Sequence, residues 1–150
     1  MSFSQLNWFE NVDPRPHPWP GLNWLSPMLY VTDIQAAVNF YEKAFGFVPI
    51  FQLPDANGIF IFARMRYRGI NFTLNQEGCF DFDGKCPQSS QTVPPLMFYF
   101  YVDDIDQAMQ QALASGAELL QAIRLEFWGD RKGRVRDPFG YIWEMAARVQ

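Results

Sequence analysis

Two stretches of this chain carry the same alternation of apolar and polar positions. Residues 25–32 read as a short strand in which Ser26, Met28 and Tyr30 share one face and Leu25, Leu29 and Val31 the other. Thr32 or Asp33 then caps a helix, with Gln35 placed after Thr32 as in a capping box, and Ile34, Ala37, Val38, Tyr41 and Phe45 form a stripe at helical spacing. Gly46 closes it. Residues 47–53 and 59–67 predict strands around a Pro-Asp-Ala-Asn-Gly turn, and Arg68-Gly69 turns the chain into a further strand over 70–76. After a polar linker a strand over 96–102 restarts the pattern. Tyr101, Asp103 and Ile105 lie 71 residues beyond Tyr30, Thr32 and Ile34, and the second stripe, Ile105, Ala108, Met109 and Ala112, keeps that offset before Gly116. Strands over 117–127, 133–136 and 141–147 follow, with Asp137-Pro138-Phe139-Gly140 as a β-turn.

A repeat of this length is a whole supersecondary unit, so each half reads as a βαβββ module. The expected fold is α+β, with the two modules forming a curved, mixed eight-stranded sheet, helices on its outer face and a cavity on its concave inner face. Residues 25–77 make the first module, 78–95 a linker and 96–148 the second module of one domain. Residues 1–24 have another texture. Pro14, Pro16, Pro18 and Pro20 favour an extended arm, and Trp8, Trp19 and Trp24 give it apolar surface. Such an arm is expected against its own domain, across a partner in a homodimer, or over the cavity as a lid.

Composition narrows the partners. The chain of 150 residues is 49% hydrophobic and 19% charged, as suits one globular domain. A formal net charge of -4 gives no electrostatic case for nucleic acid or an anionic membrane. No apolar run approaches the roughly 18 residues of a membrane span, and the start lacks a signal-peptide pattern, so a cytoplasmic protein is expected. Cys79 and Cys86 then read as reduced thiols, with a disulfide still conceivable. Zinc finds little support, because the only histidine is His17.

Tyr30-Val31-Thr32-Asp33 followed by Asn39-Phe40-Tyr41-Glu42-Lys43-Ala44-Phe45-Gly46-Phe47, then Tyr101-Val102-Asp103-Asp104-Ile105-Asp106, Ala114-Ser115-Gly116-Ala117, Trp128-Gly129-Asp130-Arg131 and Asp137-Pro138-Phe139-Gly140-Tyr141-Ile142-Trp143-Glu144 carry a resemblance. In their order and spacing they resemble the vicinal-oxygen-chelate superfamily, which includes glyoxalase I, extradiol dioxygenases, fosfomycin-modifying enzymes and bleomycin-resistance binding proteins. The resemblance covers about residues 25–148. It implies the paired-module fold and, for the family's metal enzymes, one ligand on each of four strands. Carried over by position, those ligands fall on Ser26, near Asn71, on Met97 and on Glu144. Only Glu144 has the chemistry of a metal ligand, since a thioether and a hydroxyl do not replace two imidazoles. No metal and no cofactor are therefore expected.

Strand parity directs Glu144, Met28, Tyr30, Met97, Tyr99 and Tyr101 into the concavity, where aromatic rings either bind a flat or amphipathic organic ligand or fill a core between the modules. Trp128 and Arg131 precede the final hairpin, at the mouth of the cavity in the family. There an indole could stack on a ligand and a guanidinium hold its carboxylate, or Arg131 could pair internally with Asp130, Asp137 or Glu144. Arg64, Arg66 and Arg68 read as a solvated face. The candidate ligand-binding set is Tyr30, Tyr99, Tyr101, Trp128, Arg131 and Glu144, with Glu144 the one candidate catalytic group. The expectation is a metal-free binding protein for a small aromatic or amphipathic molecule. The alternative is an enzyme of the same superfamily (lyase, isomerase or dioxygenase) that uses a metal or Glu144 as acid and base.

Overall fold

In the computed structural model, which describes residues 22–149, the chain runs β1 (Met28–Val31), α1 (Ile34–Phe45), β2 (Val48–Pro54), β3 (Phe60–Tyr67), β4 (Ile70–Gln76), α2 (Pro87–Ser90), β5 (Phe98–Tyr101), α3 (Ile105–Ala114), β6 (Glu118–Leu125), β7 (Asp130–Arg136) and β8 (Ile142–Arg148). Residues 1–21 of the proline-rich arm lie outside the described residues. The long helices start by one device: Asp33 accepts from the Ala36 N–H at 3.0 Å and Asp104 from the Gln107 N–H at 3.1 Å. Gly46 ends α1 at φ 73°, a left-handed cap whose N–H reaches the Tyr41 and Glu42 carbonyls.

The eight strands form two sheets of four, ordered β1-β4-β3-β2 and β5-β8-β7-β6. In each, the first strand pairs parallel to the last and the others are antiparallel. The single eight-stranded sheet is thus divided, and tyrosine hydroxyls occupy backbone groups at the free edges. Tyr141 Oη accepts from the Tyr30 N–H at 3.0 Å and donates to the Tyr30 carbonyl at 2.8 Å, and Tyr67 Oη donates to the Tyr101 carbonyl at 2.5 Å. A hydroxyl satisfies an edge that would otherwise seek another strand.

One face of both sheets packs with α1 and α3 into a shared core. Trp143 sits within ring contact of Phe98 (4.6 Å), Phe45 (5.4 Å), Tyr41 (5.5 Å), Phe47 (5.6 Å), Phe72 (5.8 Å) and Phe100 (5.9 Å), so rings from both modules close around one indole. Beneath it the Tyr41 hydroxyl of α1 and the Trp143 Nε1–H (2.9 Å) both reach Asp137 Oδ2 in the turn before β8. Burial pushes the Asp137 carboxyl above its ordinary range, against the pull of those donors. Gly133 on β7 leaves room for Met109 of α3, whose terminal methyl would have to move aside for a Cβ placed 2.4 Å from it.

Several boundaries differ from the sequence expectation: β1, β5 and β6 are shorter than the expected 25–32, 96–102 and 117–127. β7 begins at Asp130 and not at 133, because residues 130–132 continue the ladder with Arg148, Ala147 and Ala146 of β8. The linker holds the single turn α2, tied down by the Gln88 N–H to the Phe139 carbonyl at 2.9 Å.

Candidate functional site

The register of the second sheet aligns Tyr99 (β5), Glu144 (β8), Arg134 (β7) and Gln121 (β6) in one row across its inner face. Tyr101, Ala146, Lys132 and Arg124 form the next. Strand alternation sends Phe98, Phe100, Trp143 and Met145 to the helices, leaving this face to polar and phenolic side chains.

At one end Asp130 is fully buried and gathers donors. Its Oδ2 accepts from Tyr99 Oη at 2.6 Å, Tyr101 Oη at 2.7 Å and Trp128 Nε1 at 2.9 Å, while Arg148 Nη1 lies 3.4 Å from Oδ1. Burial alone would raise this carboxyl, but the phenols, indole and guanidinium outweigh it and hold Asp130 below the usual range. The phenols pay in the opposite sense. Burial and Asp130 push Tyr99 up, and the hydrogen bond to Asp130 followed by burial does the same for Tyr101. Tyr99, Tyr101 and Trp128 are therefore brought together, half exposed, by a carboxylate that fixes their orientation.

In the middle of the face Glu144 Oε2 is in direct contact with Lys132 Nζ, and both side chains are almost closed to solvent. Lys132 also reaches Gln121 Oε1 at 3.0 Å and lies 3.5 Å from Glu126 Oε1. Arg131 points the other way. Strand parity turns it to the helix side, where it grips Asp106 of α3 with two bonds of 3.1 and 3.2 Å. The expected place of Arg131 at the cavity mouth, and each expected internal partner, is replaced by that pair, because β7 starts early enough to fix alternation through residue 131. Tyr30 belongs to the first sheet. Its ring packs on Phe82 with centroids 4.8 Å apart.

The solvated face expected of Arg64, Arg66 and Arg68 holds for Arg68 alone, which pairs with Asp103 at 2.9 Å. Arg64 and Arg66 are half-buried on the inner face of the first sheet, in register with Thr73 and Asn71, and Arg64 Nη1 donates to Asn71 Oδ1 at 2.9 Å. Between the modules lies a cavity of about 380 Å³, lined by Phe47, Tyr67, Phe72, Phe98, Phe100 and Trp143 with Asn71, Tyr99 and Tyr101. Cavities of about 420 and 450 Å³ lie in the groove between α1 and α3 and beside α2.

The model of the Glyoxalase/Bleomycin resistance protein/Dioxygenase superfamily matches residues 21–145. The chain belongs to this superfamily. An uncharacterized protein of Mycobacterium bovis is 36% identical over 131 residues, which cover 84% of either chain, and one of Mycobacterium tuberculosis is 36% identical over 84% of this chain and 75% of its own. In fold the chain is similar to TioX from Micromonospora sp. ML1 (TM-score 0.65, 24% identity, 85% of this chain and 99% of that one). It is also similar to a glyoxalase/bleomycin resistance protein/dioxygenase family enzyme from Burkholderia phytofirmans PsJN (TM-score 0.66, 20% identity, 81% and 95%).

Within this glyoxalase/bleomycin resistance protein/dioxygenase member, the four positions onto which the resemblance carries a metal set do not suit a divalent cation. Glu144 is engaged by an ammonium, the Asn71 side-chain oxygen accepts from Arg64, and Ser26 and Met97 supply a hydroxyl and a thioether. Among the described residues, no group of three or more His, Cys, Asp or Glu side chains is placed to hold a metal. No described helix is long and apolar enough to cross a membrane.

Sequence reasoning missed Asp130, Lys132 and Arg134 as members of the inner face. The signal was there: Asp130, Lys132, Arg134 and Arg136 alternate with Arg131, Gly133 and Val135, and only the second set offers the small and apolar residues a helix can pack on.

Proposed function

We propose that this superfamily member binds a small aromatic or amphipathic molecule without a metal, at the seam of its two modules. The cavity of about 380 Å³ carries this reading, because its ring-lined walls and the phenols of Tyr99 and Tyr101 match what organic ligands need. Of the other two cavities, one has Phe45 and Phe100 as its lining rings and the other has none. Tyr99, Tyr101, Trp128 and Glu144 are the residues assigned to contact or orient the ligand. The protein acts in the cytoplasm as a homodimer to which the N-terminal arm contributes.

A thermal-shift screen with antibiotics, aromatic acids and α-keto aldehydes tests the reading. A reproducible rise in melting temperature with an aromatic or amphipathic compound is expected, and no response to any class counts against it. Elemental analysis of protein purified without chelators adds a second test. Stoichiometric nickel, zinc, iron or manganese removed only with loss of stability would overturn the metal-free assignment.

A further inference from the structure

Phe100 lines two cavities at once, the inter-module cavity of about 380 Å³ and the groove of about 420 Å³ between α1 and α3, and no other described residue lines both. Its ring stands between their walls. Phe47, Tyr67 and Trp143, which line the inter-module cavity, have ring centroids 5.3, 5.5 and 5.9 Å from it, and Phe45, which lines the groove, is 5.2 Å away. Beyond Phe100 the groove continues with the small apolar side chains of Ala44, Val102 and Ala108. The strand end beside it is held to the first module. Tyr67 Oη donates to the Tyr101 carbonyl at 2.5 Å, and Arg68, which lines the cavity, pairs at 2.9 Å with Asp103, which lines the groove.

We infer that Phe100 is the partition that limits the inter-module cavity to a compact ring system and keeps a longer ligand out of the α1–α3 groove. Phe47 and Trp143 meet its ring edge-on, at interplanar angles of 64° and 86°, a preferred arrangement for aromatic pairs that fixes where the ring stands. A ring packed in this way does not compress to let another pass, so the limit is steric. The anchored Tyr101 carbonyl, one residue on, keeps the backbone from carrying the ring aside. Cutting Phe100 back to Cβ leaves a void, because the surroundings relax only in part, and that void joins two spaces now separate. A further ring on the ligand would then meet Phe45, Ala44, Val102 and Ala108, apolar contacts that the partition denies it. The inference rests on the reading that the cavity binds a small organic molecule, and it adds the size class and the residue that sets it.

The test titrates the full-length protein calorimetrically with naphthol and with phenylnaphthol, which carries one more ring on the side remote from the hydroxyl. The wild type is expected to bind naphthol at least as tightly as phenylnaphthol. Phe100→Ala is expected to reverse the order, with phenylnaphthol about tenfold the tighter, the scale of burying one further ring. Adding Ala108→Leu to that variant refills the groove from α3 and should abolish the reversal. A wild type that prefers phenylnaphthol, or a preference unchanged by Phe100→Ala, overturns the inference while the small-ligand reading stands. A reversal that survives Ala108→Leu also overturns it, because the added ring then lies outside the groove. If neither protein binds either probe, the inference is overturned and the thermal-shift screen judges the small-ligand reading by itself. Should Phe100→Ala not fold, Phe100→Leu takes its place under the same criteria.

Discussion

Lys132 reaches diagonally across the β7–β8 ladder to Glu144, and its ammonium touches the carboxylate that the family resemblance places at the last metal-ligand position. The contact changes what Glu144 is for. A carboxylate held by a buried cation orders its neighbours, and the strand that would present a ligand presents half of an ion pair.

Glu144→Gln is therefore expected to destabilise the protein. Removing one partner of a buried pair costs about 3 to 5 kcal/mol, and because Lys132 keeps Gln121 and Glu126 the expected loss is about 2 to 3 kcal/mol. Denaturant unfolding of Glu144→Gln, Lys132→Met and the double variant checks this. The double variant should lose less than the sum of the singles, and strict additivity would show the contact to be unimportant.

Asp130 predicts a specific acid sensitivity. Its folded carboxyl titrates below the ordinary 3.8, so its stabilisation is complete above that value and is lost as pH falls through the depressed one. Asp130→Asn should cost about 1 to 3 kcal/mol near neutrality, the scale of hydrogen bonds to a charged group. The gap between variant and wild type should close as pH drops below 3.8. A gap independent of pH would contradict the assignment.

Burial gives the Asp137 carboxyl the opposite sign, against the downward pull of the Tyr41 hydroxyl. Asp137 titrates above its ordinary value when folded, so the associated stability is present below 3.8 and is lost as pH rises through the raised value. Tyr41→Phe removes a donor from that buried carboxylate and should cost about 1 to 3 kcal/mol with Asp137 ionised, and less once it is protonated. Melting curves from acid to neutral pH read this directly.

Trp128→Ala should weaken aromatic ligands by about 1 to 3 kcal/mol and remove one donor from Asp130. Arg131→Ala serves as the contrast. Its exposed pair with Asp106 lies on the helix side, so ligand affinity by fluorescence quenching should not change.

Deleting residues 2–22 should move the protein from dimer toward monomer in sedimentation. The arm alternates proline with other residues and carries tryptophans, apolar surface that is costly to leave in water. An unchanged dimer would place the arm elsewhere.

The sequence alone determined the elements and the family. Hydrophobic periodicity is local, so the stripe Ile34, Ala37, Val38, Tyr41 and Phe45 and its 71-residue echo mark two helices, and Gly46 marks where the first ends. Only the tertiary structure decided which charges meet. Arg131 looked like a ligand anchor until the early start of β7 turned it toward Asp106, and Arg64 and Arg66 looked solvated until the β3–β4 register laid them beside Thr73 and Asn71. Asp130 gathers Tyr99, Tyr101 and Trp128 from two separate stretches of chain, a convergence that depends on strand register and on where each ladder begins. The division of the expected eight-stranded sheet into two likewise follows from contacts distant in sequence, since the hydroxyl that takes the Tyr30 edge belongs to Tyr141. Short-range patterning fixes which face each residue shares with its neighbours, while pairing partners are chosen by long-range packing around Trp143.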